Sequence, residues 1–179
     1  MHAGGVMAGP ALTVKVRPGD NLMLHRALDL AEPGDVIVVD AGGDVTTAIM
    51  GDLMLAHAKQ RGVAGLVING AVRDVDSIRA QDLPLYAAGV THRGPYKDGP
   101  GEITGAVALD GMVVEPGDLV LGDADGVLAV PLDVVPAVLA AAEAKKAAEE
   151  REMAAILAGT SDRAWVLRTL ESRGCEIEE

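Results

Sequence analysis

The sequence predicts an α/β fold, a single-domain β/β/α arrangement of three layers, with a helical extension at its C-terminal end. Three observations lead there. Between Ala11 and Ile68 short apolar runs alternate with helix-length segments, the order that gives parallel strands covered by helices. Hydrophobic residues make up 49% of the chain but aromatic ones only 2%, and there is no Phe. A core of Val, Leu, Ile, Ala and Met suits strands buried on both faces. From Ile103 the period changes to short strands separated by Gly or Pro (ITGAVAL, MVVEPG, DLVLGD, GVLAVP), which predict a second, partly antiparallel layer of sheet.

After a glycine-rich lead, Ala11–Arg17 alternates as a half-buried strand and stops at Pro18-Gly19. Asp20 or Asn21 can cap a helix over Leu22–Ala31, which ends before Pro33-Gly34. Asp35–Asp40 (DVIVVD) is a buried strand. Thr46 or Thr47 is expected to cap the next helix, which runs to a stop at Gly62. Ala64–Ile68 and Leu83–Gly89 read as further strands, and Val90–Gly101 (VTHRGPYKDGPG) as a loop without regular structure. Asp133–Leu157, rich in Ala, Glu and Lys, is strongly helical, and a last helix covers Asp162–Ser172. The expected domain therefore spans residues 1–179, with a core over about 9–131 and C-terminal helices over about 133–173.

Charge and composition exclude several classes of function. A net charge of −12 argues against a nucleic-acid partner, because phosphate binding needs a basic surface. Cys175 is alone, so neither an intrachain disulfide nor a cysteine metal site is expected. No apolar run reaches the roughly 18 residues of a membrane span, and MHAGGVMAGP lacks the regions of a signal peptide. A cytoplasmic protein without a membrane partner is expected. No G-x-G-x-x-G follows a strand, and neither G-x-x-x-x-G-K-[ST] nor G-x-S-x-G occurs.

The stretch Gly51–Asp76 carries the chemistry. A helix start at Asp52 and a strand end at Arg73-Asp74, with twenty residues between Asp52 and Arg73, fall at one edge of a parallel sheet. Ligands of α/β proteins collect at that edge. An arginine beside a carboxylate there can take an oxyanion and a hard cation together; the plainer reading is a turn with a surface charge. Asp52 has a plain use as well, since acids favour helix N-termini. His2, His25, His57 and His92 are scattered without metal-ligand spacing, His57 reading as a packed or surface residue and His92 as a loop residue open to function. Asp123-Ala124-Asp125-Gly126 is a hairpin turn rather than a calcium loop. Glu143, Lys145, Lys146, Glu149, Glu150 and Arg151 read as a solvated helix face.

Gly9-Pro10-Ala11, Pro18-Gly19-Asp20-Asn21, the Asp52 to Arg73-Asp74 spacing, and Pro116-Gly117-Asp118 through Gly122-Asp123-Ala124-Asp125-Gly126-Val127 form a joint pattern. It resembles the 4-hydroxy-4-methyl-2-oxoglutarate / 4-carboxy-4-hydroxy-2-oxoadipate aldolases, class II pyruvate aldolases that share a swivelling-domain-like fold with the regulator of ribonuclease activity A. The resemblance runs from about Gly9 to Gly159; the family's further N-terminal helical segment has no match. It implies a Mg²⁺ or Mn²⁺ cofactor held by Asp74, and a small 2-oxo acid substrate chelated to that ion. It also implies that Arg73 stabilises a pyruvate enolate, that backbone N–H groups of Leu53 and Met54 bind the substrate carboxylate, and that Asp52 positions the assembly. A glutamate from a neighbouring subunit would act as base through water, Glu149 being the nearest match and Glu150 the second. The resemblance further implies a homotrimer or homohexamer and an oxaloacetate decarboxylase side activity. The alternative is a non-catalytic protein that binds and regulates a ribonuclease; that branch typically lacks an acidic residue after the arginine, where this chain has Asp74.

Overall fold

The computed structural model describes residues 5–176, so His2 and the first residues of the glycine-rich lead lie outside it. The chain forms two compact units, one ending at Val135 and the other beginning at Pro136. In the first, strands β1 (Met7–Val16), β2 (Val36–Asp40), β3 (Ala48–Met50), β4 (Gly65–Val72) and β5 (Leu85–Val90) form a parallel array. β1 pairs with β2, β2 with β4, and both β3 and β5 with β4. Helices α1 (Leu22–Leu30) and α2 (Asp52–Arg61) follow β1 and β3, and the short α3 (Val75–Arg79) follows β4.

The two-residue period of the strands sorts their side chains into two cores. Ile37, Val39, Leu66 and Ile68 pack with Leu24 and Leu28 of α1 and Met54 and Leu55 of α2. Their neighbours Val36, Val38 and Val67 face the other way, onto Val107, Leu109, Val114 and Val120. The last four belong to the second layer: β6 (Gly101–Ile103), β7 (Val107–Leu109), β8 (Met112–Val114), β9 (Leu119–Gly122) and β10 (Val127–Val130). Helices, parallel sheet and antiparallel strands thus form the three expected layers. β1 belongs to two of them: Met7–Pro10 pairs antiparallel with β9, while Ala11–Lys15 pairs parallel with β2. β7 and β8 form a sheet of their own.

Three local expectations are corrected. Thr46 and Thr47 cap no helix. Asp44 Oδ1 takes both the backbone N–H (2.9 Å) and the hydroxyl (2.7 Å) of Thr46, and Ala48, Ile49 and Met50 are all buried. Three consecutive buried side chains suit a short strand covered on both faces, whereas a helix would turn one of them outward, so α2 starts at Asp52 with Gly51 as its N-cap. The helix at Asp133 opens as a 3₁₀ turn, Leu132–Val134, before α4 (Val135–Leu157). The last helix, α5 (Ala164–Ser172), begins after Asp162, whose Oδ1 accepts the N–H of Ala164. The Asp-Gly turn joins β9 to β10 as expected, Asp123 Oδ1 accepting the N–H of Asp125.

In the second unit no residue of α4 or α5 is buried. Lys145–Glu149 (3.3 Å) and Lys146–Glu150 (4.0 Å) pair at the i,i+4 spacing of a solvated face. Among the described residues no helix is long and apolar enough to cross a membrane.

Candidate active site

The C-terminal ends of β3 and β4 are tied together by the Arg73 N–H to the Met50 carbonyl, 2.9 Å. That bond extends the β3–β4 pairing and brings the start of α2 against the turn after β4, where Asp52, Leu53, Met54, Arg73 and Asp74 come together. Asp74 Oδ2 accepts the backbone N–H of Asp52 at 3.1 Å and lies 3.6 Å from Arg73 Nε. Asp74 itself sits in the left-handed region, φ 61° and ψ 42°. A non-glycine residue there is uncommon and marks a site where the surroundings dictate the backbone. Gly51 leaves the room that this requires. A Cβ on it would overlap the Asp74 carboxylate and come within 3.1 Å of Arg73 Cγ and Nε.

Beside this cluster lies a cleft of about 190 Å³, lined by the Gly51–Met54 turn, Arg73, Asn21, His25, Pro95 and Lys97. The helix start supplies partial positive charge. Its N–H groups are not equivalent: Asp52 donates to Asp74, Leu53 donates to the carboxylate of Asp52 at 2.7 Å, and Leu55 is already bonded to the Gly51 carbonyl. Met54 is left as the N–H without an acceptor among the described residues. Of the predicted pair Leu53 and Met54, the second is therefore the readier anion donor.

Other predicted residues fall elsewhere. His92 lines a neighbouring hollow with Asp74 and Thr91, on the other side of Arg73. His57 is exposed on α2, in a surface groove shared with His25. Glu149 is exposed in the second unit and pairs with Lys145.

Asn21 and His25 escaped the sequence reading as site residues, and that reading places specificity in the His92–Lys97 loop without singling out Lys97. Asn21 is buried, donating its amide to the Ile49 carbonyl at 3.0 Å and to Met54 Sδ at 3.3 Å, while its Oδ1 has no partner. His25 is held neutral more strongly than an ordinary histidine: burial lowers its pKa, and the charges of Lys97 and His57 lower it further against Asp29. One signal could have found Asn21 and His25. They follow β1 directly, and every parallel strand ends at the same edge, so the residues after β1 belong to the ligand edge as surely as those after β4. Nothing in the loop's composition singles out Lys97.

The metal that the resemblance implies can be weighed against these donors. Among the described residues no three His, Cys, Asp or Glu side chains cluster to enclose an ion. Beside the cleft, lining the neighbouring hollow, Asp74 offers one carboxylate, with Oδ2 engaged and Oδ1 without a partner among the described residues. One carboxylate fits a hard cation that keeps waters and takes its remaining ligands from a substrate, as Mg²⁺ and Mn²⁺ do.

Known proteins match this chain over most of its length. The profile of the RraA-like family, described as Aldolase/RraA, covers residues 1–129. A protein of Halalkalibacterium halodurans named "Putative 4-hydroxy-4-methyl-2-oxoglutarate aldolase" is 44% identical over 150 residues, 84% of this chain and 71% of that one. Among solved structures, the RNA-processing inhibitor RraA from Thermus thermophilis has a TM-score of 0.69 at 33% identity, covering 73% of this chain and 79% of its own. RraAS2 of Streptomyces coelicolor, described as an unusual member of the RNase ES inhibitor RraA protein family, has a TM-score of 0.76 at 30% identity, covering 86% and 79%.

Proposed function

The chain belongs to the RraA-like family of aldolases and RraA proteins, and from that premise we propose that it is a divalent-metal-dependent class II pyruvate aldolase. Its substrate would be 4-hydroxy-4-methyl-2-oxoglutarate or 4-carboxy-4-hydroxy-2-oxoadipate, with oxaloacetate decarboxylation as a side activity. The observation that carries the reading is that the Asp74 carboxylate and the Arg73 guanidinium meet the start of α2, Arg73 lining both the cleft and the hollow that Asp74 lines.

Asp74 would hold the cation through its free Oδ1. A bound divalent cation supplies Lewis-acid stabilisation of the charge that develops on the substrate's keto oxygen. The Met54 N–H at the helix start receives the substrate carboxylate and so fixes which oxygen faces Arg73. Asp52 shares in that placement, because its N–H braces Asp74 and its carboxylate holds Leu53. In the retro-aldol step a base takes the proton of the C4 hydroxyl, the C3–C4 bond breaks into a new carbonyl, and its electron pair enters the pyruvate enolate. Arg73 donates to the enolate oxygen, a role its planar fork suits. Protonation at C3 then gives pyruvate. The base would be Glu149, with Glu150 the second candidate, supplied through water by a neighbouring copy in a trimer or hexamer. Decarboxylation of oxaloacetate leaves the same enolate and needs no such base.

A second reading, a non-catalytic regulator of a ribonuclease, is supported by what the Thermus and Streptomyces relatives are called. Asp74 favours the first reading, since a binding surface has no need of a carboxylate held in a left-handed conformation beside an arginine. Pyruvate release from each 4-hydroxy acid and from oxaloacetate, with Mg²⁺ and with EDTA, tests the proposal. Metal-dependent release supports the aldolase. Release that survives EDTA after dialysis, or none from any of the three compounds, overturns it.

A further inference from the structure

Asp20 is the most buried carboxylate among the described residues, 1% exposed. An acid in that position bears a heavy desolvation cost unless it is well bonded. Its two oxygens divide the work. Oδ1 accepts the Leu22 N–H at 2.9 Å and so caps α1. Oδ2 accepts the N–H groups of Asp98 (2.7 Å) and Gly99 (3.0 Å), far along the chain, and lies 3.4 Å from Arg17 Nη2. Burial alone would raise its pKa, but those three N–H groups and Arg17 outweigh it and leave the carboxyl below its ordinary value. On the other side of Lys97, Tyr96 donates its N–H to the Gly19 carbonyl (2.9 Å) and accepts the Asn21 N–H (3.1 Å). Arg17 reaches outward over the Tyr96 ring and to Asp98 Oδ2, 3.4 Å. Lys97 is thus the one residue of this turn whose two neighbours are both fastened to the segment after β1, and its side chain lines the cleft.

We propose that Asp20 is a positioning residue: by holding the backbone of Asp98 and Gly99, it sets Lys97 in the cleft wall and thereby sets the affinity for an anionic ligand. The inference rests on the reading that the cleft takes a 2-oxo acid. Asp20 touches no substrate in this scheme; it acts through Lys97. Helix capping alone would require only Oδ1, and the three contacts of Oδ2 are what capping leaves unexplained.

The test is a double-mutant cycle on ligand affinity, read by calorimetric titration of oxalate, a planar dianion shaped like a pyruvate enolate, in the presence of Mg²⁺. Asp20→Ser keeps an oxygen for the Leu22 N–H, since serine is a good cap, but does not reach the loop. It should weaken oxalate about tenfold in the wild-type background, the worth of one charged contact, and have no further effect in Lys97→Ala. In turnover the same variant should raise KM and leave kcat within about threefold. Equal weakening with and without Lys97, or no weakening, overturns the inference while leaving the cleft's ligand intact. Failure of the wild-type protein to bind oxalate with Mg²⁺ overturns the ligand reading, and the inference with it. If Asp20→Ser does not fold, Arg17→Ala carries the comparison. Arg17 is exposed, and its loss should weaken oxalate about threefold and only when Lys97 is present; a Lys97-independent effect again overturns the proposal.

Discussion

The two walls of the cleft are built by different means. One wall, Gly51–Met54 with Arg73, braced by Asp74, stands on strand ends, joined by the Arg73 N–H to Met50 bond and continuous with the buried sheet. The other wall is the Pro95–Gly99 turn, which is largely exposed and held by the segment after β1 through Asp20, Gly19 and Asn21. A wall that is part of the sheet shares the rigidity of the core and suits groups that must meet a reacting atom in fixed geometry. A wall fastened at a few points can be retuned without disturbing the core, and loops of that kind carry specificity. On this comparison, damage to the first wall should appear in turnover and damage to the second in affinity.

The largest expected effect is that of Asp74→Ala. On the proposed role of Asp74 as the metal's protein ligand, its loss would forfeit several kcal/mol of charge stabilisation, so pyruvate release should fall about a thousandfold or more and not recover with added Mg²⁺. An active variant would detach the metal from this wall altogether. Arg73→Lys comes next, with kcat down by roughly 10²–10³ while the circular dichroism spectrum is unchanged, because lysine keeps the charge and loses the fork. Third is Gly51→Ala. Its φ of −149° is open to any residue, so the backbone accepts alanine, but the new methyl meets Asp74 and Arg73. A misplacement of that kind costs up to about 10² in kcat, and a variant as active as wild type would show that the first wall is softer than its sheet connection implies. On the second wall Lys97→Ala should raise KM about tenfold with kcat nearly constant; a fall in kcat instead would erase the distinction between the walls.

The smallest effect concerns His25, which lies between the cleft and α2. Its folded pKa lies below the unfolded value near 6.5, so the unfolded chain binds the proton first. Its contribution to stability is therefore lost as pH falls from about 7 through 6.5 toward the folded pKa. His25→Gln should flatten the decline of Tm over that interval. An unchanged slope would mean that burial and the Lys97 charge do not hold His25 below its ordinary value.

The sequence made the first wall legible and left the second hidden, for a physical reason. Arg73-Asp74 and Asp52 sit where a hydrophobic run stops, so periodicity alone places them at a strand end and a helix start. Lys97 sits in twelve residues of mixed Gly, Pro and charge with no period, and its neighbours Asp98 and Gly99 donate their N–H groups to Asp20, which reads from sequence as a plain helix cap. The same local ambiguity concealed β3. Ala48, Ile49 and Met50 are too few to show alternation, and two threonines and a nearby Asp imitate a cap. The three-layer architecture was legible because the two faces of β2 and β4 are both apolar; that β1 serves two sheets was not, since pairing partners leave no trace in a strand's own period.

That double membership of β1 shapes how the protein is made. Met7 lies opposite Gly122, with nearly the whole sheet-forming part of the chain between them. As the chain emerges during synthesis, β1 through β5 can pair while β9 does not yet exist. Until it arrives, the Val36, Val38 and Val67 face is open to solvent and the first half of β1 is an unpaired edge, the kind that recruits strands from other chains. Closing such a distant pair is slow. The interval between translation of Val72 and docking of β9 is thus the period in which this fold is most exposed to aggregation.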